Sequence, residues 1–163
     1  MDCVEDIPTL DVDTRPPPKV WSVRDRLDLA RFIGIQVLGV AGAAWFGLTP
    51  GVVALCLGLY VARMFGVTAG YHRYFSHRTF KTSRAFAFVL AFLAESSFQR
   101  GVIWWARQHR HHHRHSDGPE DIHSPKDGFL WSHVGWLFDE RCWSDANTVT
   151  DLERYPELVW LDR

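Results

Sequence analysis

All nine histidines of this 163-residue chain fall between His72 and His133, and seven of them form two tight groups. The first group is His72-Arg-Tyr-Phe-Ser-His77, and the second is His109-Arg-His111-His112-His113-Arg-His115. Neutral imidazole is a good ligand for iron, zinc, copper and nickel, and several converging rings can hold one ion. Arginines interrupt the second run and it lies well inside the chain, so it is not an affinity tag. On a helix turning about 100° per residue, His109 and His113 lie some 40° apart on one face. His112 lies about 60° to the other side of His109, while His111 and His115 point roughly to the opposite face. His72 and His77 would diverge by about 140° on a continuing α-helix, a spacing that suits two metals better than one. Zinc hydrolysis fits poorly, because there is no His-Glu-x-x-His and neither group contains a glutamate to act as general base. A structural zinc site is disfavoured because Cys3, Cys56 and Cys142 are far from both groups. An all-histidine site beside apolar sequence points instead to oxygen chemistry at iron, carried by the metal while the protein positions substrate and excludes water.

Such a site needs elements to hold it. The chain is 47% hydrophobic and 23% charged with a formal net charge of -1, which excludes disorder over its whole length and does not suggest a nucleic-acid binder. Residues 1–20 are acidic and then proline-rich, reading as a solvated tail without the pattern of a cleaved signal peptide. Phe32 to Leu48 carries no charge, Thr49-Pro50-Gly51 breaks the run, and Val52 to Gly70 resumes it with Arg63 as the one interruption. Two such segments predict a transmembrane hairpin at about 32–70. Gly34, Gly39, Gly42, Gly58, Gly66 and Gly70 would allow close helix packing there. Basic residues flank both ends and none lies in the connecting turn, which places the N-terminus and the histidines on the cytoplasmic side. Ala85 to Ala94 is apolar but too short to span, so an interfacial or capping helix is expected. The aromatic stretch Phe129 to Phe138 suits a headgroup boundary. The three cysteines form no disulfide framework, as fits a reducing, cytosol-facing environment.

The first group, preceded by Gly66-Val-Thr-Ala-Gly70, resembles the first histidine box of the membrane acyl-CoA (stearoyl-type, delta-9) fatty acid desaturases. Trp105-Ala-Arg-Gln-His109-Arg-His-His112-His113 resembles their second box. Asp121-Ile-His-Ser-Pro, Phe129-Leu-Trp-Ser-His133-Val-Gly-Trp136 and Asp151-Leu-Glu-Arg-Tyr-Pro-Glu-Leu resemble segments that follow it. The resemblance implies two non-haem iron ions, with His72, His109 and His113 on one and His77 and His112 on the other. It places Gln99 and Trp105 on a kinked acyl tunnel and Arg107 at the coenzyme A headgroup, and takes His123 and His133 as structural. From Arg63 to Arg114 there are nine Lys or Arg against Glu95 alone, an excess that would attract CoA phosphates or anionic lipid.

The implied activity is O2-dependent desaturation of a long-chain acyl-CoA, with electrons from a ferredoxin or cytochrome-type donor and its reductase. The family's pattern includes four transmembrane helices and a third box, His-x-x-His-His, absent from these residues; Gln108 stands where an acidic residue is common. The expectation is therefore an all-α integral membrane protein corresponding to the N-terminal half of a desaturase. A tail and juxtamembrane segment occupies 1–29, and a desaturase domain occupies 30–163, with the hairpin at about 32–70, the histidine region at 71–138 and a polar segment at 139–163. Such a chain is expected to be inactive alone. The competing expectations are a non-catalytic metal-binding membrane fragment, a related membrane lipid hydroxylase, and a soluble histidine-rich module.

Overall fold

A computed structural model describes residues 22–139, 143 and 149–163 of the chain. The tail expected at 1–20, Cys3, Cys142 and most of the segment between Asp139 and Val149 lie outside the described residues. Helix α1 (Val23–Phe46) begins nine residues before the uncharged run, because Ser22 and Asp25 close a reciprocal cap. The Ser22 hydroxyl accepts from the Asp25 N–H at 3.2 Å, and the Ser22 N–H donates to the Asp25 carboxylate at 2.8 Å. Helix α2 (Pro50–Phe65) starts with Pro50 in its first turn and Thr49 as cap, so the breaker read from sequence is the boundary.

Helix α2 does not stop at Phe65. It continues without a break as a π-helical segment, Gly66–Ser76, and the joined element Pro50–Ser76 is 27 residues long. This element and α1 are both long and apolar enough to cross a membrane. Their apolar side chains are largely open: Ile35, Leu38, Val40, Leu55, Leu57 and Val61 are all exposed. Continuous apolar surface of this extent marks a face for contact with membrane or protein. Gly34, Gly39, Gly42 and Gly58 have nothing within 4 Å of where a Cβ would be, so the close packing expected of them is absent among the described residues. Helix α1 instead touches the 3-10 turn Gly135–Phe138, where Phe32 meets Phe138 edge-on at 5.9 Å.

The packed core forms around the π-helical segment. Its buried residues are Gly66, Gly70, Tyr71, Phe75 and Ser76, which recur at about 4.5-residue intervals. An α-helix would return to one face every 3.6 residues, whereas i→i+5 hydrogen bonding widens the turn to roughly 4.4. Helix α3 (Arg84–Glu95), the expected short apolar helix, lays Ala87, Leu90, Ala91 and Ala94 against this face. It leaves Phe86, Val89 and Phe92 exposed on the other side, as an interfacial helix would. Helix α4 (Val102–His115) adds Val102, Ile103 and Ala106 to the core. Helix α5 (Phe129–His133) exposes Phe129 and Leu130. Two short helices, α6 (Thr150–Glu153) and α7 (Pro156–Leu161), close the core with Leu152 and Leu158.

Gly66 and Gly70 are where small residues are required. A Cβ on Gly66 would lie 2.6 Å from the Ala94 backbone nitrogen, and one on Gly70 would lie 3.1 Å from the Leu90 carbonyl oxygen. Gly66→Leu is therefore expected to unseat α3, at about 1–3 kcal/mol or more because backbone rather than a flexible side chain must yield. Gly34→Leu, with open space around it, should stay within about 0.5 kcal/mol. Thermal unfolding in detergent, read from tryptophan fluorescence, separates the two; equal midpoints would contradict the packing.

Candidate metal centre

The π-helical segment changes the geometry expected of the first histidine group. Its wider turn brings residues five apart to within about 50° of one another, rather than the 140° of an α-helix. The His77 N–H donates to the His72 carbonyl at 3.0 Å, and the two rings meet at 4.6 Å between centroids. The divergence expected from α-helical geometry is thus corrected: both rings face α4. There His109 and His113, one turn apart, present their rings with centroids at 4.5 Å. His77 Nε2 lies 3.2 Å from His109 Nε2, His72 lies 4.7 Å from His109, and His77 lies 4.5 Å from His113. The ligand atoms of His72, His77, His109 and His113 all fall within 4.8 Å of one another.

This donor set fits a first-row transition metal. Burial, reinforced by the neighbouring imidazoles, pushes His109 down to about 3, so its lone pair is available at neutral pH. His113 is lowered for the same reasons. Four imidazole nitrogens converging from two helices can occupy four positions around one ion. His112 does not join them; its ring lies 5.5 Å from His113 and forms a second group with Asp121 and His123. His111 and His115 stand apart, their tilted rings in contact at 4.5 Å and held by the carbonyl and carboxylate of Glu120. His133 stacks on Phe129 at the exposed helix α5.

Trp105 and Gln99 sit together beside the cluster. The indole N–H of Trp105 donates to Gln99 Oε1 at 3.3 Å, and its ring stacks on His109 at 4.5 Å. Tyr71, which the sequence reading did not single out, packs against Trp105 at 5.2 Å and donates to the Arg100 carbonyl at 2.5 Å. Arg100 holds a φ of 65°, so this bond pins a strained turn next to the candidate ligands.

Arg107 pairs with Glu153 at 3.0 Å. The same holds for much of the basic excess between Arg63 and Arg114. Arg78 pairs with Asp151, Arg84 forms two bonds with Glu157 at 2.6 and 2.7 Å, and Arg110 pairs with Asp151 at 2.8 Å. Four of the nine basic residues expected to attract phosphates are therefore met by carboxylates of α6 and α7. Asp162, just beyond α7, accepts from the Ile103 and Trp104 N–H groups at 2.9 and 3.0 Å and so caps α4. A cleft of about 630 Å³ lies between the end of the π-helical segment, α3 and α7, and neither Gln99, Trp105 nor Arg107 lines it.

Comparison with known proteins places residues 47–161 in a match to the family model described as fatty acid desaturase. Among similar proteins, a delta-9 acyl-lipid desaturase 2 of Arabidopsis thaliana is 36% identical, over 79% of this chain and 44% of the relative. A palmitoyl-monogalactosyldiacylglycerol delta-7 desaturase of the same plant is 32% identical, over 83% of this chain and 38% of the relative. A probable acyl-CoA desaturase of Schizosaccharomyces pombe is 32% identical, over 72% of this chain and 24% of the relative. The chain thus spans less than half the length of each of these three relatives.

Proposed function

This chain belongs to the fatty acid desaturase family, and on that premise we propose that its histidines build the metal centre of an O2-dependent acyl desaturase. The observation that carries the reading is the convergence of His72, His77, His109 and His113, with His112 one ring away. Two bound irons would supply the O2 activation and hydrogen removal that no side chain can perform. His72, His109 and His113 would hold one of them, and His77 and His112 the other. The chain's own residues hold and orient: α4 and the π-helical segment fix the ring directions, and Tyr71 and Trp105 wall the site with apolar surface that excludes water. Gln99 and Trp105 are assigned to the acyl chain and Arg107 to its carrier. A delta-9 cis double bond in an acyl-CoA is the product proposed, following the box resemblance; the relatives are named for delta-7 and delta-9 positions and for both acyl-CoA and acyl-lipid substrates. Electrons would come from a ferredoxin or cytochrome-type donor with its reductase. The two apolar helices and their exposed side chains support insertion in a bilayer, with the histidines and N-terminus cytoplasmic.

A second reading has its own observation. Four imidazoles within one 4.8 Å group are a complete set for a single four-coordinate ion, as expected of a non-catalytic metal-binding membrane fragment. Expression of the chain joined to a desaturase segment that supplies the third histidine box, in a host lacking its own desaturase, with fed saturated acyl chains and mass spectrometry of the lipids, separates the readings. A new cis alkene is the expected result, and its position tests the delta-9 assignment. Hydroxylated lipid without alkene would make the protein a hydroxylase. Bound metal with no product would favour the single-ion reading.

A further inference from the structure

His112 is the one proposed ligand outside the four-imidazole cluster, and its ring is held from two sides. Its Nδ1 lies 2.8 Å from Asp121 Oδ1, and the Asp121 side chain is fully buried. The His123 ring stacks on it at 4.1 Å with 22° between planes. His123 in turn stacks on Trp136 at 4.9 Å, and Trp136 on Trp104 at 5.8 Å, so the column continues into the first turn of α4.

Three side chains of ligand type so close together invite a reading as a separate metal site, since their donor atoms also fall within 4.8 Å. Two features argue otherwise. The Asp121 carboxylate is already engaged by three protein donors: Oδ1 accepts from His112 and from the His123 N–H at 3.2 Å, and Oδ2 accepts from the Asp117 N–H at 2.8 Å. Moreover, imidazole lone pairs lie in the ring plane, and near-parallel rings stacked face to face keep them in separate, nearly parallel planes, so an ion between the faces would be out of plane for both. They cannot both point at one ion between them.

We infer that Asp121 is a positioning residue, which fixes His112 as the Nδ1–H tautomer and reserves its Nε2 as the donor for the second metal. The inference rests on the two-metal reading above. A buried carboxylate on the far nitrogen of a ligating histidine fixes tautomer and ring direction and raises basicity, and its loss typically costs 10–100-fold in metal affinity. His123 supports the same ring by stacking, with Trp136 behind it.

The test uses the full chain in detergent, with Co2+ as the metal probe. In the metal-free protein, imidazole 15N spectra assigned with His112→Ala are expected to show His112 protonated at Nδ1, and in Asp121→Asn to show that preference lost. This measurement on the unaltered chain stands even if the variant folds poorly. In Co2+ titrations read by absorbance, His112→Ala is expected to weaken or remove the second binding step. Asp121→Asn should weaken that step about 10–100-fold. The double variant should be no worse than His112→Ala, because Asp121 acts only through that ring. Protonation of His112 at Nε2 in the unaltered chain would overturn the inference, as would weakening by His112→Ala with no effect of Asp121→Asn. Loss of one Co2+ from His112→Ala, Asp121→Asn and His123→Ala alike, with His72→Ala silent, would reassign the three as a site of their own. No effect of His112→Ala on Co2+ would instead remove the two-metal reading itself.

Discussion

Replacing His109 by alanine is expected to lower the affinity of the cluster for Co2+ or Fe2+ by more than the 10–100-fold that an outer-shell change typically costs. His109 is the hub of the four rings, with its Nε2 3.2 Å from that of His77 and its ring within 4.7 Å of His72 and His113. Its removal takes away a candidate ligand and also the surface on which Trp105 stacks. Protons offer little competition for it, because its own titration is pushed down to about 3; between pH 6 and 8 that nitrogen is free to bind. His115→Ala is the matched control on the same helix. Its ring is engaged with His111 and Glu120 and should leave metal affinity within about twofold, as surface changes away from a site do. Isothermal titration of both variants decides the matter, and equal affinities would remove the cluster as a metal site.

The contrast between the two histidine groups explains what the sequence made legible. On α4 the 3.6-residue period holds, so pairing His109 with His113 and setting His111 and His115 aside follows from angles alone. Before it, the period changes to about 4.4 within one continuous helix, and nothing in the residue types of Gly66–Ser76 announces the change. The cause is tertiary: Gly66 and Gly70 let α3 approach to backbone contact, and Tyr71 and Phe75 fill the face that the wider turn creates. The hairpin boundary was readable because Thr49-Pro50 is a local signal, whereas the start of α1 depended on a cap formed by Ser22 and Asp25. The fate of the basic residues was not readable at all. Arg110 finds Asp151 forty-one residues away and Arg84 finds Glu157 at seventy-three, separations no local pattern encodes. Asp121 was visible within a motif, yet its bond to His112 depends on the turn after α4 folding back across nine residues.

Those long-range ion pairs carry the second large effect. Arg110→Ala is expected to destabilise the fold by about 3 kcal/mol and to weaken metal binding at a site it does not touch. The guanidinium binds both oxygens of Asp151 at 2.8 and 2.9 Å. It also donates to the Phe75 carbonyl at 2.6 Å and the Ser76 carbonyl at 3.3 Å. Those carbonyls end the π-helical segment, so one side chain on the histidine-bearing α4 both caps the helix carrying His72 and His77 and ties it to α6. Removing it leaves Asp151 half-buried with only Arg78, and frees the last turn before His77. Arg110→Lys keeps the charge but not the planar fork, and should recover only part of the loss. The pH dependence has a definite sign. Burial alone would raise Asp151, but hydrogen bonds and charge from Arg110 and Arg78 outweigh it and hold its pKa below the ordinary value. Its contribution is therefore fully present above about pH 4 and is lost as pH falls through the lower, folded value. Thermal unfolding followed through the eight tryptophans should show the midpoint of the native chain dropping in that acid range. The Arg110→Ala midpoint should start lower and fall less. Parallel acid profiles would show that Asp151 is not held by Arg110, and unchanged Co2+ affinity in Arg110→Ala would show that the end of the π-helical segment does not depend on it.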